Sequence, residues 1–175
     1  MRVVAGHLRG RRLAAPSGRD TRPTSHRVRE AVFSILGSVE NLRVLDLFAG
    51  SGALAIEALS RGASSATLVD HDARAIAVVR RNLEAVGLTE PAVHRRDALA
   101  HLRGETATYD LIFVDPPYSS APRLGGPLSA ALPSVLSPDA LIVTESYKRN
   151  PLELELPLVR ERTYGDTRIA LHRGR

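Results

Sequence analysis

The chain has 175 residues, no cysteine and a formal net charge of +5. This length suffices for one well-buried core with an extension, while the absence of cysteine excludes disulfides, a thiolate metal site and a thiol nucleophile. No metal is expected, and because we find neither a signal-like N-terminus nor an apolar stretch of bilayer length, we expect a soluble, cytoplasmic protein without membrane contact.

Positive charge is concentrated near the N-terminus. Residues 1–43 carry a net charge of +6, so the remainder of the chain carries −1. Contacts between basic side chains and phosphates supply most of the non-specific affinity for nucleic acid, and a basic lobe on a neutral body therefore predicts a polyanionic partner. We expect residues 1–40 to form a basic extension and residues 41–175 to form the main domain.

The extension has two predicted elements. The short segments 3–6 and 12–15 flank a Gly- and Arg-rich turn, which predicts a hairpin or extended arm. After a loop, Thr24 is a candidate N-cap for a helix that runs to about Gly37. Arg27 and Arg29 fall off the apolar stripe of this helix, so they are expected to face a partner, or else to form an ordinary solvated face.

From Arg43 onward, short apolar runs alternate with helical patterns. Strands are predicted at 44–48, 66–69, 92–94, 111–114 and 141–144, and helices near 52–61, 73–86, 97–103 and 122–136. Two last strands are predicted at 152–156, from period-two alternation, and at 167–171. The expected fold is a Rossmann-like α/β domain with a seven-stranded, mostly parallel sheet, helices on both faces and one antiparallel strand near the C-terminus.

A glycine-rich loop follows the first predicted strand. The segment Asp46-Leu47-Phe48-Ala49-Gly50-Ser51-Gly52 leads directly into a helix, whose N-terminus favours an anionic group. Gly50 and Gly52, followed by Ala55, also fit a loose dinucleotide fingerprint, with Asp70 at the end of the next strand to bind a ribose. NAD is therefore one alternative for the cofactor.

Asp46 favours a different cofactor. A carboxylate beside the glycine loop would repel a pyrophosphate but suits the ammonium and sulfonium groups of S-adenosylmethionine. Asp70 would then accept hydrogen bonds from the ribose, and Asp97 with Ala98 would lie against adenine. For Asp97 an N-cap role is equally open, and Asp72 is expected to be an N-cap.

The apolar run 111–114 ends at Asp115-Pro116-Pro117-Tyr118. An amine conjugated to a ring is a poor nucleophile, so an enzyme that alkylates it needs acceptors for its N–H groups and a flat surface for the ring. Asp115 and the loop carbonyls can accept, Tyr118 can stack, and the two prolines stiffen the loop. Taken alone, the tetrapeptide is equally consistent with a strand end and a Pro-rich turn.

These motifs together resemble a known family. Asp46-x-x-x-Gly50-x-Gly52, Asp70 and Asp115–Tyr118, in that order, resemble class I S-adenosylmethionine-dependent methyltransferases that modify exocyclic amino groups. Arg22-Pro23-Thr24, Arg27-Val28-Arg29-Glu30 and the run from Asp46 to Gly62 are similar to the bacterial 16S ribosomal RNA guanine-N2 methyltransferases, which modify guanine 966 of the small subunit. The similarity covers nearly the whole chain. Ala55, where glycine is common, and Asp70, where glutamate also occurs, depart from the pattern but keep the required properties.

The resemblance implies a substrate and a set of site residues. The substrate would be 16S rRNA within an assembled or nearly assembled 30S subunit, and we expect the enzyme to be a monomer. The implied catalytic residues are Asp115, Pro116, Pro117 and Tyr118. The implied S-adenosylmethionine site consists of Asp46, Phe48, Ala49, Gly50, Ser51, Gly52, Asp70, His71, Asp97, Ala98 and Asp115. The implied RNA contacts are Arg9, Arg11, Arg12, Arg22, Thr24, Arg27 and Arg29.

Three alternatives remain open on the motifs alone. A DNA adenine-N6 methyltransferase would use the same Asp-Pro-Pro-Tyr loop, but such enzymes usually carry a larger target-recognition region than the roughly 40 residues that precede this body. A protein-glutamine methyltransferase would not need the arginine-rich lobe. A non-catalytic RNA-binding protein with a decayed cofactor site is disfavoured by the intact motifs.

Overall fold

The computed structural model describes residues 1–15 and 26–174. Seven strands form one sheet in the order β3-β2-β1-β4-β5-β7-β6. The strands are β1 (Arg43–Leu47), β2 (Ser65–Asp70), β3 (Ala92–Arg95), β4 (Tyr109–Val114), β5 (Leu136–Tyr147), β6 (Leu158–Tyr164) and β7 (Thr167–Arg173). Strands β1 to β5 pair in parallel, and β7 is antiparallel to both β5 and β6. The predicted mixed seven-stranded sheet is therefore confirmed.

Helices cover both faces of the sheet. They are α1 (His26–Leu36), α2 (Ala53–Ser60), α3 (Ala73–Val86), α4 (Ala98–Gly104) and α5 (Ala121–Ala131), and α5 continues into a short 3-10 helix at Leu132–Val135. Strand residues alternate between two cores: Val44 and Phe113 face α1, α2 and α3, whereas Leu45 and Ile112 face α4 and α5. This is the layering that the alternating strand and helix patterns predict.

The sheet order reverses between β1 and β4. Register pairs Leu47 of β1 with Val114 of β4, so the loops that leave the carboxyl ends of these strands begin side by side, about 4.8 Å apart. In open α/β sheets a ligand binds at such a reversal, outside the carboxyl ends of the strands. The fold thus brings the glycine loop and the Asp-Pro-Pro-Tyr loop together.

The predicted strand at 152–156 is wrong. The sixth strand is Leu158–Tyr164, and the preceding segment lies against α5, where the Glu155 N–H donates to Ser129 Oγ at 2.8 Å. Leu152, Leu154 and Leu156 are buried in the core on that side, while the glutamates between them are exposed. The period-two pattern therefore records alternate burial against a helix rather than pairing in the sheet.

The N-terminal extension is anchored on α2. Arg2 and Arg12 form an antiparallel bridge, which confirms the predicted hairpin-like arm. Glu57 of α2 is fully buried, and its carboxylate accepts the N–H groups of Val4 at 2.7 Å and Ala5 at 2.9 Å. Gly6 lies so close to α2 that a Cβ atom there would stand 1.8 Å from the Ser60 carbonyl oxygen. The arm and the main domain consequently share one core.

In the part of the chain that the structure describes, no helix is long and apolar enough to cross a membrane.

Candidate active site

The glycine loop is a tight turn between β1 and α2. Phe48, Gly50 and Gly52 all adopt positive φ, at 65°, 57° and 76°. A Cβ atom at Gly52 would meet Leu68 Cδ2 at 2.9 Å, so both the backbone conformation and the close approach to β2 favour glycine there. The loop presents backbone at the N-terminus of α2, where a negatively charged group is stabilised.

Asp70 holds the glycine loop against the end of β2. Its Oδ2 accepts the Gly50 N–H at 2.9 Å, and its Oδ1 accepts the Asp72 N–H at the same distance. His71 follows Asp70, is exposed, and places Nδ1 3.6 Å from the Asp70 carboxylate. Each oxygen of Asp70 keeps acceptor capacity beyond one N–H bond, so this carboxylate has the chemistry to accept from ribose hydroxyls.

Two other acidic residues act as helix caps. Asp72 accepts the Arg74 N–H at 2.8 Å at the start of α3, which confirms the expected N-cap. Asp97 accepts the Ala100 N–H at 2.9 Å through Oδ1 at the start of α4, and the adjacent Ala98 is buried. The cap role of Asp97 is therefore confirmed, while contact of its second oxygen with adenine stays a prediction.

Asp46 is a buried carboxyl group beneath the glycine loop. It is 1% exposed, and its Oδ2 accepts the N–H of Ala55 in the first turn of α2 at 3.2 Å. Burial raises the pKa of Asp46 to about 7, an effect that the Ala55 hydrogen bond opposes and the nearby charge of Asp70 reinforces. A cation placed here would offset the free energy needed to ionise a buried carboxyl group. The site therefore fits a positively charged cofactor and disfavours a pyrophosphate.

The Asp-Pro-Pro-Tyr loop leaves β4 beside the glycine loop. Asp115 is partly exposed, Pro116 is buried and Pro117 is exposed. The Pro117 carbonyl accepts the N–H groups of Ser120 at 2.9 Å and Ala121 at 3.2 Å, so this turn leads directly into α5. The loop thus places a carboxylate and two proline-fixed peptide units at the point where the sheet order reverses.

Tyr118 is held by two neighbours that the sequence analysis missed. Its ring stacks on Tyr147, with centroids 5.8 Å apart and an angle of 26° between the ring planes. Its hydroxyl group lies 3.1 Å from Thr167 Oγ1. Both neighbours come from the C-terminal part of the sheet, and short-range patterns carry no signal for a contact over that sequence separation.

The arginines of the extension differ in exposure. Arg9, Arg11 and Arg12 on the arm and Arg27 on α1 are exposed. Arg29, which we expected beside Arg27 on the surface, is fully buried, and its Nη2 donates to the Arg2 carbonyl at 2.8 Å. Burial lowers the pKa of Arg29, and the charge of Glu57 opposes this effect. The prediction that Arg29 lies off the buried stripe is therefore wrong, and Arg29 instead anchors the arm.

Arg22 and Thr24, predicted to bind RNA, lie outside the described residues. A further residue that sequence reasoning missed is Asn82 on α3. Its Nδ2 donates to the carbonyl groups of Ala14 at 3.0 Å and Ser51 at 2.9 Å, and its Oδ1 accepts the Ala14 N–H at 2.7 Å. This buried amide therefore joins the arm to the glycine loop. Its position on the buried face of a helical pattern was its only signal.

The sheet order, the glycine loop and the Asp-Pro-Pro-Tyr loop define a class I S-adenosylmethionine-dependent methyltransferase. A family model described as "Conserved hypothetical protein 95" matches residues 1–173. The chain belongs to that family.

Individual relatives match this chain over all or nearly all of its length. The chain is 40% identical to YlbH of Bacillus subtilis, provisionally named an rRNA methyltransferase, over all of both chains. It is 30% identical to Ribosomal RNA small subunit methyltransferase D of Haemophilus influenzae, over 99% of this chain and 94% of that protein. A solved Escherichia coli structure, yhhF, provisionally named a methyltransferase, superposes with a TM-score of 0.84 at 32% identity, over 99% and 97% of the two chains.

Proposed function

We propose that this protein transfers a methyl group from S-adenosylmethionine to the N2 amine of guanine 966 in 16S rRNA of the small ribosomal subunit. The observation that carries the proposal is the pairing of Leu47 with Val114, which sets the glycine loop beside the Asp-Pro-Pro-Tyr loop. The names of the full-length relatives support rRNA, and in one case the small subunit, as the substrate. The choice of guanine N2 rests on the motif resemblance.

Each proposed cofactor residue suits a different part of S-adenosylmethionine. S-adenosylmethionine supplies a methyl group activated by the positive charge on sulfur. Asp46 offers a carboxylate to the cationic amino acid part, the N-terminus of α2 offers N–H groups to its carboxylate, and Asp70 offers acceptors to the ribose. Asp97 and Ala98 are proposed to border the adenine, and Phe48, Ala49, Ser51 and His71 to complete the walls.

The catalytic loop would act by holding the target amine. Asp115 and the Pro116 carbonyl would accept the two N–H groups of the amine, which directs its weak lone pair toward the methyl carbon for in-line displacement. Asp115 need not be a strong base, because the amine becomes acidic as it is alkylated and can lose its proton to water. Tyr118 would stack on the extruded base, which returns about 1–3 kcal/mol of the cost of unstacking it.

The arm and α1 are proposed to bind the RNA backbone. Arg9, Arg11, Arg12 and Arg27 are exposed and belong to the basic extension, residues 1–40. Arg22 and Thr24 remain candidates from the sequence, and Arg29 is excluded from this surface because it is buried. We propose a monomer that acts on an assembled or nearly assembled 30S particle.

The RNA surface can be tested through salt dependence. Replacing Arg9, Arg11 and Arg12 together by glutamine should weaken RNA binding and reduce the slope of log K against log [salt] by about 2–3, because each lost phosphate contact removes roughly 0.7–0.9. Filter binding at several salt concentrations measures the slope. Arg103→Gln is the matched control, since Arg103 is exposed on α4, across the sheet from the arm. An unchanged slope in the triple variant would show that these arginines are merely solvated.

The raised pKa of Asp46 predicts a pH-dependent cofactor affinity. A bound cation favours the ionised carboxyl group, so binding below about pH 7 must release the proton of Asp46. We expect affinity for S-adenosylmethionine to tighten about tenfold from about pH 5.5 to about pH 7. Calorimetry in buffers of different ionisation enthalpy measures both the affinity and the released proton.

Without cofactor, the same group should act on stability with the opposite sign. Because folding raises the pKa of Asp46, the contribution of this group to the free energy of unfolding is full below the unfolded pKa near 3.8 and is lost as the pH rises to about 7.

For the calorimetry, Asp46→Asn is the control. An amide cannot ionise, so this variant should release no proton when it binds S-adenosylmethionine. Equal proton release by wild type and Asp46→Asn would refute the assignment.

The proposed reaction is tested by methyl transfer from labelled S-adenosylmethionine to 30S subunits that lack the modification, followed by mass spectrometry of the nucleosides. N2-methylguanosine is the expected product. N6-methyladenosine would redirect the proposal to an adenine amine.

A further inference from the structure

Two tyrosines and a threonine form a compact cluster beside the catalytic loop. Tyr118 and Tyr147 stack with ring centroids 5.8 Å apart. The Tyr118 hydroxyl group lies 3.1 Å from Thr167 Oγ1, and Thr167 pairs with Tyr147 across β5 and β7. One ring face and the hydroxyl group of Tyr118 are therefore both in contact with a single pair of cross-strand neighbours.

The backbone around Tyr147 is well supported. The Tyr147 carbonyl accepts the Asn150 N–H at 3.1 Å, and the Lys148 N–H donates to the Asp166 carbonyl at 2.9 Å. Lys148 Nζ also lies 3.1 Å from Asp166 Oδ1. The end of β5 is thus tied to the turn that precedes β7, so the ring of Tyr147 stands on a braced part of the sheet.

We infer that Tyr147 and Thr167 are positioning residues that set the plane of the Tyr118 ring for the target base. The inference rests on the proposed stacking of the base on Tyr118. With one face of Tyr118 stacked on Tyr147, a base can use only the opposite face, and the Thr167 contact fixes rotation of the ring. A ring held in this plane before the substrate arrives favours productive alignment of the amine, which is a requirement of the methyl transfer step rather than of RNA binding.

The test is a double-mutant cycle between Tyr147→Ala and Tyr118→Ala. Single-turnover methyl transfer to 30S subunits is followed as total label incorporated into RNA, and the methylated base is identified separately. Tyr147→Ala alone should lower the rate about tenfold, with half-saturation by 30S changed less than about twofold. In the Tyr118→Ala background it should lower the rate by less than about twofold, because the ring that it positions is absent.

Conservative and matched variants separate positioning from general stability. Tyr147→Phe keeps the stacked ring and should restore the rate to within about twofold of wild type. Tyr109→Phe removes a buried hydroxyl group that contacts Thr67 and Glu105 at the start of β4, the end of that strand opposite to the catalytic loop, and should lower thermal stability without coupling to Tyr118. If the rate reductions caused by Tyr118→Ala and Tyr147→Ala simply multiply in the double variant, the two residues act independently and the inference is overturned. An unchanged rate in Tyr147→Ala would also overturn it.

A second cycle uses only substitutions that preserve shape. Thr167→Val removes Oγ1, and Tyr118→Phe removes the hydroxyl group that contacts it. Thr167→Val should slow methyl transfer about threefold in the wild-type background and have no effect in Tyr118→Phe. Equal effects in both backgrounds would contradict a role through Tyr118. Because label is counted whichever base receives it, methylation at another base would refute the proposed function and still leave both cycles interpretable.

Discussion

Asp115→Ala is expected to reduce methyl transfer by at least about 10²–10³-fold. Asp115 begins the loop after β4 and is proposed to accept a hydrogen bond from the target amine, an interaction made in full only during transfer. The affinity for S-adenosylmethionine should stay largely intact, because the polar contacts proposed for that site come mainly from Asp46 and Asp70. Methyl transfer and calorimetry on the same preparation separate the two effects.

Three comparison variants make the Asp115 result specific. Asp115→Asn keeps one acceptor oxygen and should fall between the wild type and Asp115→Ala. Asp139→Asn changes an exposed aspartate with a φ of 62°, a conformation that asparagine tolerates, and should leave activity unchanged. Tyr118→Phe should retain substantial activity, since the ring remains. A fully active Asp115→Ala enzyme would contradict the proposed mechanism.

Glu57→Ala should destabilise the fold by about 3–5 kcal/mol. The substitution removes a fully buried carboxylate that accepts from Val4 and Ala5 and pairs with Arg61 Nε at 2.8 Å. It also removes the negative charge that favours the buried cation of Arg29. Urea unfolding followed by circular dichroism measures the loss of free energy of unfolding.

The control for this loss is Glu84→Ala on α3, where the side chain is exposed and the expected change is within about 0.5 kcal/mol. A loss below about 1 kcal/mol for Glu57→Ala would show that the arm is not anchored through this carboxylate. Because the arm carries the proposed RNA contacts, Glu57→Ala should also weaken RNA binding without altering any surface arginine.

The main features of the fold follow from local patterns. Short apolar runs that alternate with helical periodicity predict β1 to β5 and the helices between them, because inner strands of a parallel sheet such as β1 and β4 are buried on both faces. The glycine loop was predictable because positive φ and close approach require small residues at Gly50 and Gly52. The order of the strands then places the two functional loops together at a known type of reversal.

The failures share one physical cause, which is contact between segments far apart in the chain. The buried leucines at 152–156 alternate because α5 covers them, and no local rule distinguishes this cover from a neighbouring strand. Arg29 is buried because the arm supplies a carbonyl acceptor and α2 supplies Glu57. The roles of Asn82 and Tyr147 likewise depend on partners 68 and 29 positions away, at Ala14 and Tyr118.

We propose that the Asp-Pro-Pro-Tyr loop directs methylation to the N2 amine of guanine 966. To test this, 30S subunits that lack the modification are treated with wild-type enzyme or with Asp115→Ala. The 16S rRNA is then digested with a nuclease, and the fragments are sequenced by mass spectrometry. The proposed reaction predicts one added methyl group on the base of guanine 966 with wild-type enzyme, recovered as N2-methylguanosine, and none with Asp115→Ala. A methyl group at another nucleotide, or full modification by Asp115→Ala, would contradict it.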